Sequence, residues 1–277
     1  MTALEHVVTA EAWDAIAPDY DRLVTPGGSR AVAEEALDRI QPAPGSRLLD
    51  VACGSGALAL AAARRGAQVL GVDFSPTMIE RLCARANDEG LPNVEGEVMD
   101  AHDLALDDDT FDVTASQFGV MLVPDQPRAL REMVRVTRPG GTVLVVAYRP
   151  PPEVEFLGFF LSAVQAVVPG FTGPPPDEPM LPFQAADPEV LQERMAAAGL
   201  HDITITAGVE PLDFRSGDHL WDWMMHSNPI PGALTADLDD GQRIEVRRVL
   251  DRMLRERAAG PGPATLTAGV NVAVGTA

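Results

Sequence analysis

Lysine is absent from this 277-residue chain, so its 21 Lys-or-Arg residues are all arginine. No Schiff-base lysine is available, which excludes pyridoxal-phosphate chemistry. The Walker phosphate-loop lysine is missing for the same reason. Cysteine is nearly absent: Cys53 lies in a glycine turn and Cys83 in a helical pattern, with no metal-ligand or disulfide spacing. A reducing cytoplasm is the expected location. Met1 to His6 carries no basic leader, so no secretory signal is expected. The longest apolar stretch, around Phe156 to Val168, is short for a bilayer span, and no membrane contact is expected. Basic charge is also scarce. A net charge of -20 disfavours nucleic acid and anionic membranes as partners. Low lysine with abundant Ala, Arg, Gly and Pro suggests a GC-rich bacterial source.

What is present centres on Leu48-Leu49-Asp50-Val51-Ala52-Cys53-Gly54-Ser55-Gly56. The apolar run reads as a buried parallel strand. The glycines allow a tight turn and close approach of a ligand. Ala57 to Ala63 is a strong helix former. Before it, Thr9 to Ile40 reads as two helices, broken at Pro26-Gly27-Gly28-Ser29. After it, strands are expected at Gln68–Val72, Val94–Met99, Phe111–Ser116 and Thr142–Ala147. A Ser75-Pro76-capped helix runs to about Gly90, and another spans Pro127–Val136. This alternation implies a parallel sheet with helices on both faces.

From Arg149 the pattern changes. An apolar helix, Phe156 to Val168, leads into a proline loop through Pro174-Pro175-Pro176 and Pro182. A helix from Asp187-Pro188 to Gly199 precedes a strand at Ile203–Phe214. An insertion, Gly217 to Gly260, carries Trp221, Trp223, Met224 and Met225 and then an arginine-studded helix, whose Arg243, Arg247, Arg248, Arg252, Arg255 and Arg257 read as a solvated face. Thr265–Val274 is a last strand. One structural domain is expected in three parts: a helical cap over 1–45, a nucleotide-type core over 46–149, and a remainder over 150–277 with lid insertions at 150–186 and 217–260.

Two carboxylates follow the glycine turn. Asp73 ends the second strand, where an acid accepts both ribose hydroxyls. Asp100 ends the third, where an acid can accept an adenine amino hydrogen. By the glycines alone a dinucleotide dehydrogenase stays open, since Gly54-Ser55-Gly56-Ala57-Leu58-Ala59 satisfies G-x-G-x-x-A.

Five stretches resemble the class I S-adenosylmethionine-dependent methyltransferases: Asp50 to Gly56, Val72-Asp73-Phe74-Ser75-Pro76-Thr77-Met78, Met99-Asp100-Ala101, Phe111-Asp112 with Ser116-Gln117-Phe118-Gly119, and Arg138-Pro139-Gly140-Gly141. The local style is most similar to ubiquinone and menaquinone C-methyltransferases and to bacterial small-molecule methyltransferases of secondary metabolism. Ala52 departs from the glycine that many members carry. The resemblance implies a Rossmann-like, seven-stranded α/β sheet with an antiparallel last strand. It implies S-adenosylmethionine as cofactor, with S-adenosylhomocysteine as product. Backbone around Ala52, Cys53 and Gly54 would hold the methionine end, Gly56 would close the turn, and Asp50 would belong to the same cofactor site. Asp73 would bind ribose, Phe74 and Met78 would sandwich adenine, and Asp100 and Ala101 would read its edge. Gln117 and Phe118 would face the sulfonium. Trp13-Asp14-x-x-Ala17-x-x-Tyr20-Asp21 resembles the family's cap, with Tyr20 on the cofactor and Trp13 in the acceptor pocket.

The acceptor side is less legible. Trp221 and Met225 are expected to line a hydrophobic pocket under a lid. Methyl transfer depends mainly on alignment. If a proton must leave the acceptor, His226 and Tyr148 are the leading catalytic candidates, ahead of His219 and His102. His6 and His201 read as surface residues. No metal cluster is expected. The partner is a small-molecule methyl acceptor, apolar or aromatic, and the apolar segments are compatible with a homodimer. A catalytically silent cofactor-binding regulator is the alternative.

Overall fold

The computed structural model describes residues 9–25, 28–174, 179–258, 260 and 262–277. The expected surface position of His6, the Pro26-Gly27 half of the helix break and Pro175-Pro176 of the loop lie outside these residues. Two N-terminal helices come first, α1 (Ala10–Leu23) and α2 (Gly28–Ile40). The βα part follows: β1 (Arg47–Val51), α3 (Ala57–Arg64), β2 (Gln68–Asp73), α4 (Pro76–Asp88), β3 (Val94–Val98), β4 (Phe111–Gln117), α5 (Gln126–Val136) and β5 (Thr137–Tyr148). The remainder is α6 (Glu155–Val167), α7 (Pro188–Ala197), β6 (His201–Phe214), α8 (Gly217–Ser227), α9 (Ile230–Leu234), α10 (Asp240–Ala258) and β7 (Ala264–Thr276).

The seven strands form one sheet in the order β3-β2-β1-β4-β5-β7-β6. Pairing is parallel throughout except for β7, which runs antiparallel to both β5 and β6. Strand alternation distributes the core. Leu48, Val113, Leu144 and Val146 pack toward α2, α3 and α4, while their neighbours Leu49, Val143 and Val145 pack toward α5 and α7. Burial on both faces is what the continuous apolar runs of β1 and β5 require. A third core joins α6, α8 and α10 to β6 and β7, with Phe160, Phe214 and Leu250 almost completely buried. On α10 the buried residues Val246, Val249, Leu250 and Leu254 recur at helical spacing. The opposite side carries arginines, including Arg248, paired with Glu245, and Arg257, which reaches Glu155.

Several boundaries differ from the sequence expectation. Gly28 and Ser29 belong to α2 rather than to the break. β5 starts at Thr137, which pairs with Phe111 across a register shift. Chain end and bend then bond to each other, Gly140 N–H to Ala277 and Ala277 N–H to Gly141, so Pro139-Gly140-Gly141 bends without ending the strand. β6 starts two residues early, at His201. The second insertion holds three helices, α8 to α10.

The sheet sets the site. β2 and β3 lie on one side of β1, and β4 and β5 on the other. Outside the carboxyl ends of β1 and β4, the chain therefore leaves the sheet in opposite directions and opens a crevice.

Candidate functional site

That crevice is a cleft of ≈ 1520 Å³ of empty space, its mouth included. A single drug-sized ligand needs roughly 300–1,000 Å³. The floor is the turn after β1, where Ala52, Gly54 and Gly56 have φ of 52°, 53° and 90°. Cys53 N–H donates to Val72 O at 3.0 Å, which ties the turn to β2. Gly56 suits its place on two counts, because a Cβ there would sit 2.3 Å from Leu82 Cδ1 and the backbone is left-handed. Ala52 holds its left-handed conformation at a steric cost of about 1–2 kcal/mol, where glycine would have none. Phe118, at φ 58°, is a second non-glycine residue in this conformation on the cleft wall.

Three acids from successive strand ends line the cleft. Asp50 is 1% exposed, and its Oδ2 accepts from Ala59 N–H at 3.0 Å. Its Oδ1 has no hydrogen-bond partner among the described residues. Burial pushes the Asp50 carboxyl up to about 8, against the pull of the Ala59 bond, and nearby Asp73 pushes the same way. Asp73 accepts from Gly54 N–H at 2.9 Å on Oδ2 and from Ser75 N–H at 3.0 Å on Oδ1. Burial lifts it to about 6 in spite of those bonds. A carboxylate has about four acceptor positions, so two remain for a ligand. Asp100 is the exposed member. His102 N–H and Nδ1 both bond its Oδ1, at 2.9 and 2.7 Å. Burial works to raise its pKa, but those His102 bonds outweigh it and hold the carboxyl low.

α1 roofs this end. Tyr20 lies over the turn, 3.4 Å from where a Gly54 Cβ would be. Trp13 meets Tyr20 edge-on with centroids 6.2 Å apart, and both line the cleft. The roof is pinned to the core by side chains. Asp14 Oδ1 accepts from Ser75 Oγ at 2.5 Å and from Thr77 N–H at 3.1 Å. Asp21 pairs with Arg85 at 2.9 Å, and Thr25 Oγ1 meets Ser55 Oγ at 2.5 Å.

The other end is apolar. Phe118 stacks on Tyr148 at 4.7 Å, and Phe156 meets Tyr148 edge-on at 5.7 Å. Leu157, Phe160, Phe183, Trp223 and Ile230 continue the wall. Gln117 Nε2 donates to Ser29 O at 2.7 Å, while its buried Oε1 has no partner among the described residues. Both tyrosines of the chain are on this cleft. Among the described residues, no arginine lines it.

The structure gathers Trp13, Tyr20, Asp50, Ala52, Cys53, Gly54, Asp73, Phe74, Asp100, Ala101, Gln117, Phe118 and Tyr148 around one cavity. Gly56 stands behind the wall as the N-cap of α3. Four expected site residues are elsewhere. Met78 is fully buried in α4, and Met99 lines the cavity instead. Trp221 is packed against Phe160, with Arg247 over its ring at 5.4 Å. Met225 packs on the lid core and touches Thr235 Oγ1. The cavity face of α8 holds Trp223, Met224 and Ser227, and residues 221 and 225 lie one above the other on a different face. His226 is a bracket between helices: Nδ1 contacts Asp222 O at 2.7 Å and Nε2 lies 3.5 Å from Asp19 of α1. His219 also lies off the cavity, against Phe214, whereas His102 lines it.

Glu210 was not anticipated. It is fully buried on β6, 3.0 Å from Tyr148 Oη and 3.4 Å from Ser29 Oγ. Its signal was in the alternation: Glu210 shares parity with Leu212 and Phe214, the inward residues of that strand. Met99, Trp223 and Met224 were likewise placed on the wall only by the fold.

With the geometry in place, comparison with known proteins is informative. A family described as "Methyltransferase domain" matches residues 49–145. An uncharacterized protein of Mycobacterium tuberculosis is 40% identical over 130 residues, covering 44% of this chain and 47% of that one. The 2-phytyl-1,4-naphtoquinone methyltransferase of Nostoc sp. is 36% identical over 154 residues, covering 53% of this chain and 67% of that one. The crystal structure of the Bacillus YcgJ protein matches with a TM-score of 0.58 at 18% identity, covering 90% of this chain and 97% of that one. The chain belongs to the class I S-adenosylmethionine-dependent methyltransferase family. It spans about half the length of the first of these curated relatives.

Proposed function

We propose that the chain transfers a methyl group from S-adenosylmethionine to a small apolar or aromatic metabolite, by in-line displacement in this cleft. One observation carries the reading. The ligand-binding turn is surrounded by Asp50, Asp73 and Asp100, with no arginine on the wall among the described residues and a buried Asp50 Oδ1 left without a partner. An unpaired buried acceptor of this kind is costly unless a ligand donor meets it. A ligand with an ammonium and a sulfonium fits such a wall. A dinucleotide, with its pyrophosphate, would bring negative charge against it, so the dehydrogenase alternative is set aside.

S-Adenosylmethionine supplies an electrophilic methyl group that needs no protein nucleophile. The residues of the chain bind and align. Asp50 Oδ1 would accept from the ammonium group and Asp73 from the ribose diol, using its two free acceptor positions. Asp100, Ala101, Phe74 and Met99 would surround the adenine. Tyr20 and Trp13 would close the roof and exclude water. Gln117 and Phe118 sit between the polar and apolar ends, where acceptor and sulfonium would meet. Leu157, Phe160, Phe183 and Trp223 favour an apolar or aromatic acceptor by removing its surface from water. A single protein chain that binds this cofactor need not turn over, so the regulator alternative is decided by activity. No helix among the described residues is long and apolar enough to cross a membrane, which suits a cytoplasmic enzyme acting on a small metabolite. Calorimetric titration with S-adenosylhomocysteine tests the cofactor site, and saturable binding is expected. Consumption of S-adenosylmethionine in the presence of aromatic acceptors tests turnover. Failure to bind S-adenosylhomocysteine refutes the proposal, and binding without any turnover favours the regulator.

A further inference from the structure

Among the described residues, Glu210 is the one buried acid near the cleft to which the proposed cofactor site gives no role. It sits at the apolar end, on β6, and its partners are hydroxyls: Tyr148 Oη at 3.0 Å and Ser29 Oγ at 3.4 Å. Both of those residues line the cleft. Space was kept for it. A Cβ on Gly28 of α2 would lie 2.5 Å from Glu210 Cγ. A fully buried carboxylate is expensive, and glutamine would make the same two contacts at lower cost. A buried carboxyl at a cleft wall whose partners are hydroxyls is a candidate for a functional site.

We propose that Glu210 is a positioning and proton-accepting residue behind Tyr148, and that the methyl acceptor presents a hydroxyl to Tyr148 Oη. The inference rests on the methyltransferase reading above. Tyr148 donates its own proton to Glu210 Oε2, which leaves the lone pairs of Oη for an acceptor O–H. Phe118 stacked on one face of Tyr148 and Phe156 against its edge hold the ring in place. In the transfer step the acceptor O–H proton passes to Tyr148 Oη while the Tyr148 proton passes to the Glu210 carboxylate. The freed oxygen pair forms the new O–C bond to the methyl group. The C–S bond breaks with its electrons left on sulfur, so the sulfonium becomes a neutral thioether. Glu210 afterwards returns the proton to solvent.

The electrostatic setting agrees. Burial pushes Glu210 up to about 7, with the Tyr148 and Ser29 hydrogen bonds pulling the other way. Burial, and next the Glu210 charge, hold the Tyr148 hydroxyl far above its ordinary range, so Tyr148 relays a proton and does not itself ionise. The groups facing Glu210 are Tyr148 of β5, Tyr20 of α1 and Ser29 of α2. Glu35, farther along α2, is paired with Arg39, and Arg149 is turned to Glu153 and Asn271. Among the described residues, no cation offsets the carboxylate.

The test compares 2-naphthol with 2-methoxynaphthalene, which lacks the hydroxyl proton. Binding of each to the protein loaded with S-adenosylhomocysteine is followed by fluorescence between pH 6 and 8.5. Such a hydroxyl ionises at roughly pH 10, as tyrosine does, so the probe stays neutral. The expected result is at least tenfold tighter binding of 2-naphthol, growing as pH rises through about 7. Tyr148→Phe should reduce the preference to within twofold. Glu210→Gln should flatten its pH dependence, a change that a packing role would not produce. No preference in the wild type, a preference that survives Tyr148→Phe, or an unchanged pH profile in Glu210→Gln overturns the inference. Binding of S-adenosylhomocysteine, measured separately by calorimetry, reports on the cofactor reading. If the wild type fails that titration, the naphthol comparison is run on the unloaded protein and decides the Glu210 inference alone.

Discussion

Replacing Asp73 by alanine removes a carboxylate that holds the turn and, in the proposed function, the ribose. In the free protein its carboxylate accepts from Gly54 N–H at 2.9 Å and Ser75 N–H at 3.0 Å. The ligand would add two hydroxyl donors on the remaining positions. A hydrogen bond to a charged group contributes about 1.5–3 kcal/mol, so two are worth on the order of 3–6 kcal/mol. Part of that is offset because burial already disfavours the charged form of Asp73. We therefore expect S-adenosylhomocysteine affinity to fall by about 100-fold or more, every 1.4 kcal/mol being tenfold. Folding should also weaken, by about 1–3 kcal/mol for each backbone donor left unpaired. The two effects separate experimentally. Calorimetry at 15 °C reads affinity, and a melting curve confirms that the variant is folded under those conditions. Glu97→Ala, an exposed change on the neighbouring strand β3, serves as the control. A folded Asp73→Ala protein that binds within threefold of wild type would refute the ribose assignment.

Further outcomes follow from the same geometry. Asp50, Asp73 and Glu210 have folded-state pKa values raised to about 8, 6 and 7, so the folded protein holds protons there that the unfolded chain releases at lower pH. Their contribution to stability is therefore lost as pH rises from about 4 toward 8, and the ligand-free melting temperature should fall over that window. A flat or rising profile contradicts the burial argument. His226→Ala should leave methyl transfer within twofold of wild type and cost under about 1 kcal/mol, since His226 is a half-buried bracket outside the cleft; a tenfold loss of rate would restore it to the chemistry. Asp14→Ala removes the bonds to Ser75 and Thr77 that pin the roof, so S-adenosylhomocysteine should dissociate several-fold faster in stopped-flow measurements, and an unchanged off-rate would show that α1 is not the lid. Gly56→Ala forces a Cβ to 2.3 Å from Leu82 at φ 90° and should destabilise by about 2 kcal/mol or more in chemical denaturation. A loss below 0.5 kcal/mol would mean that the turn adapts.

The sequence by itself determined the core of this protein. Strand, glycine turn and helix are local: Leu48 to Val51 must be buried, Gly54 and Gly56 suit left-handed backbone, and the alanines after them favour helix. Asp50, Asp73 and Asp100 follow immediately, because each stands within two residues of a strand end that the parallel order brings to one edge. The cap was legible only through the family resemblance carried by Trp13, Asp14, Ala17, Tyr20 and Asp21. What only the tertiary structure decided concerns direction. Helix α8 offers Trp221, Trp223, Met224 and Met225 with similar chemistry, and the packing of α10 against it turned Trp223 and Met224 to the cleft while Trp221 met Arg247. His226 has the composition of a base, but α1 and α8 together made it a strut. Glu210 and Tyr148 are 62 positions apart and joined by antiparallel pairing through β7, a contact no local pattern encodes. The cofactor end is local in sequence because a turn makes it. The apolar end is not, because it is assembled from four helices and an edge strand whose rotations are fixed only when they pack.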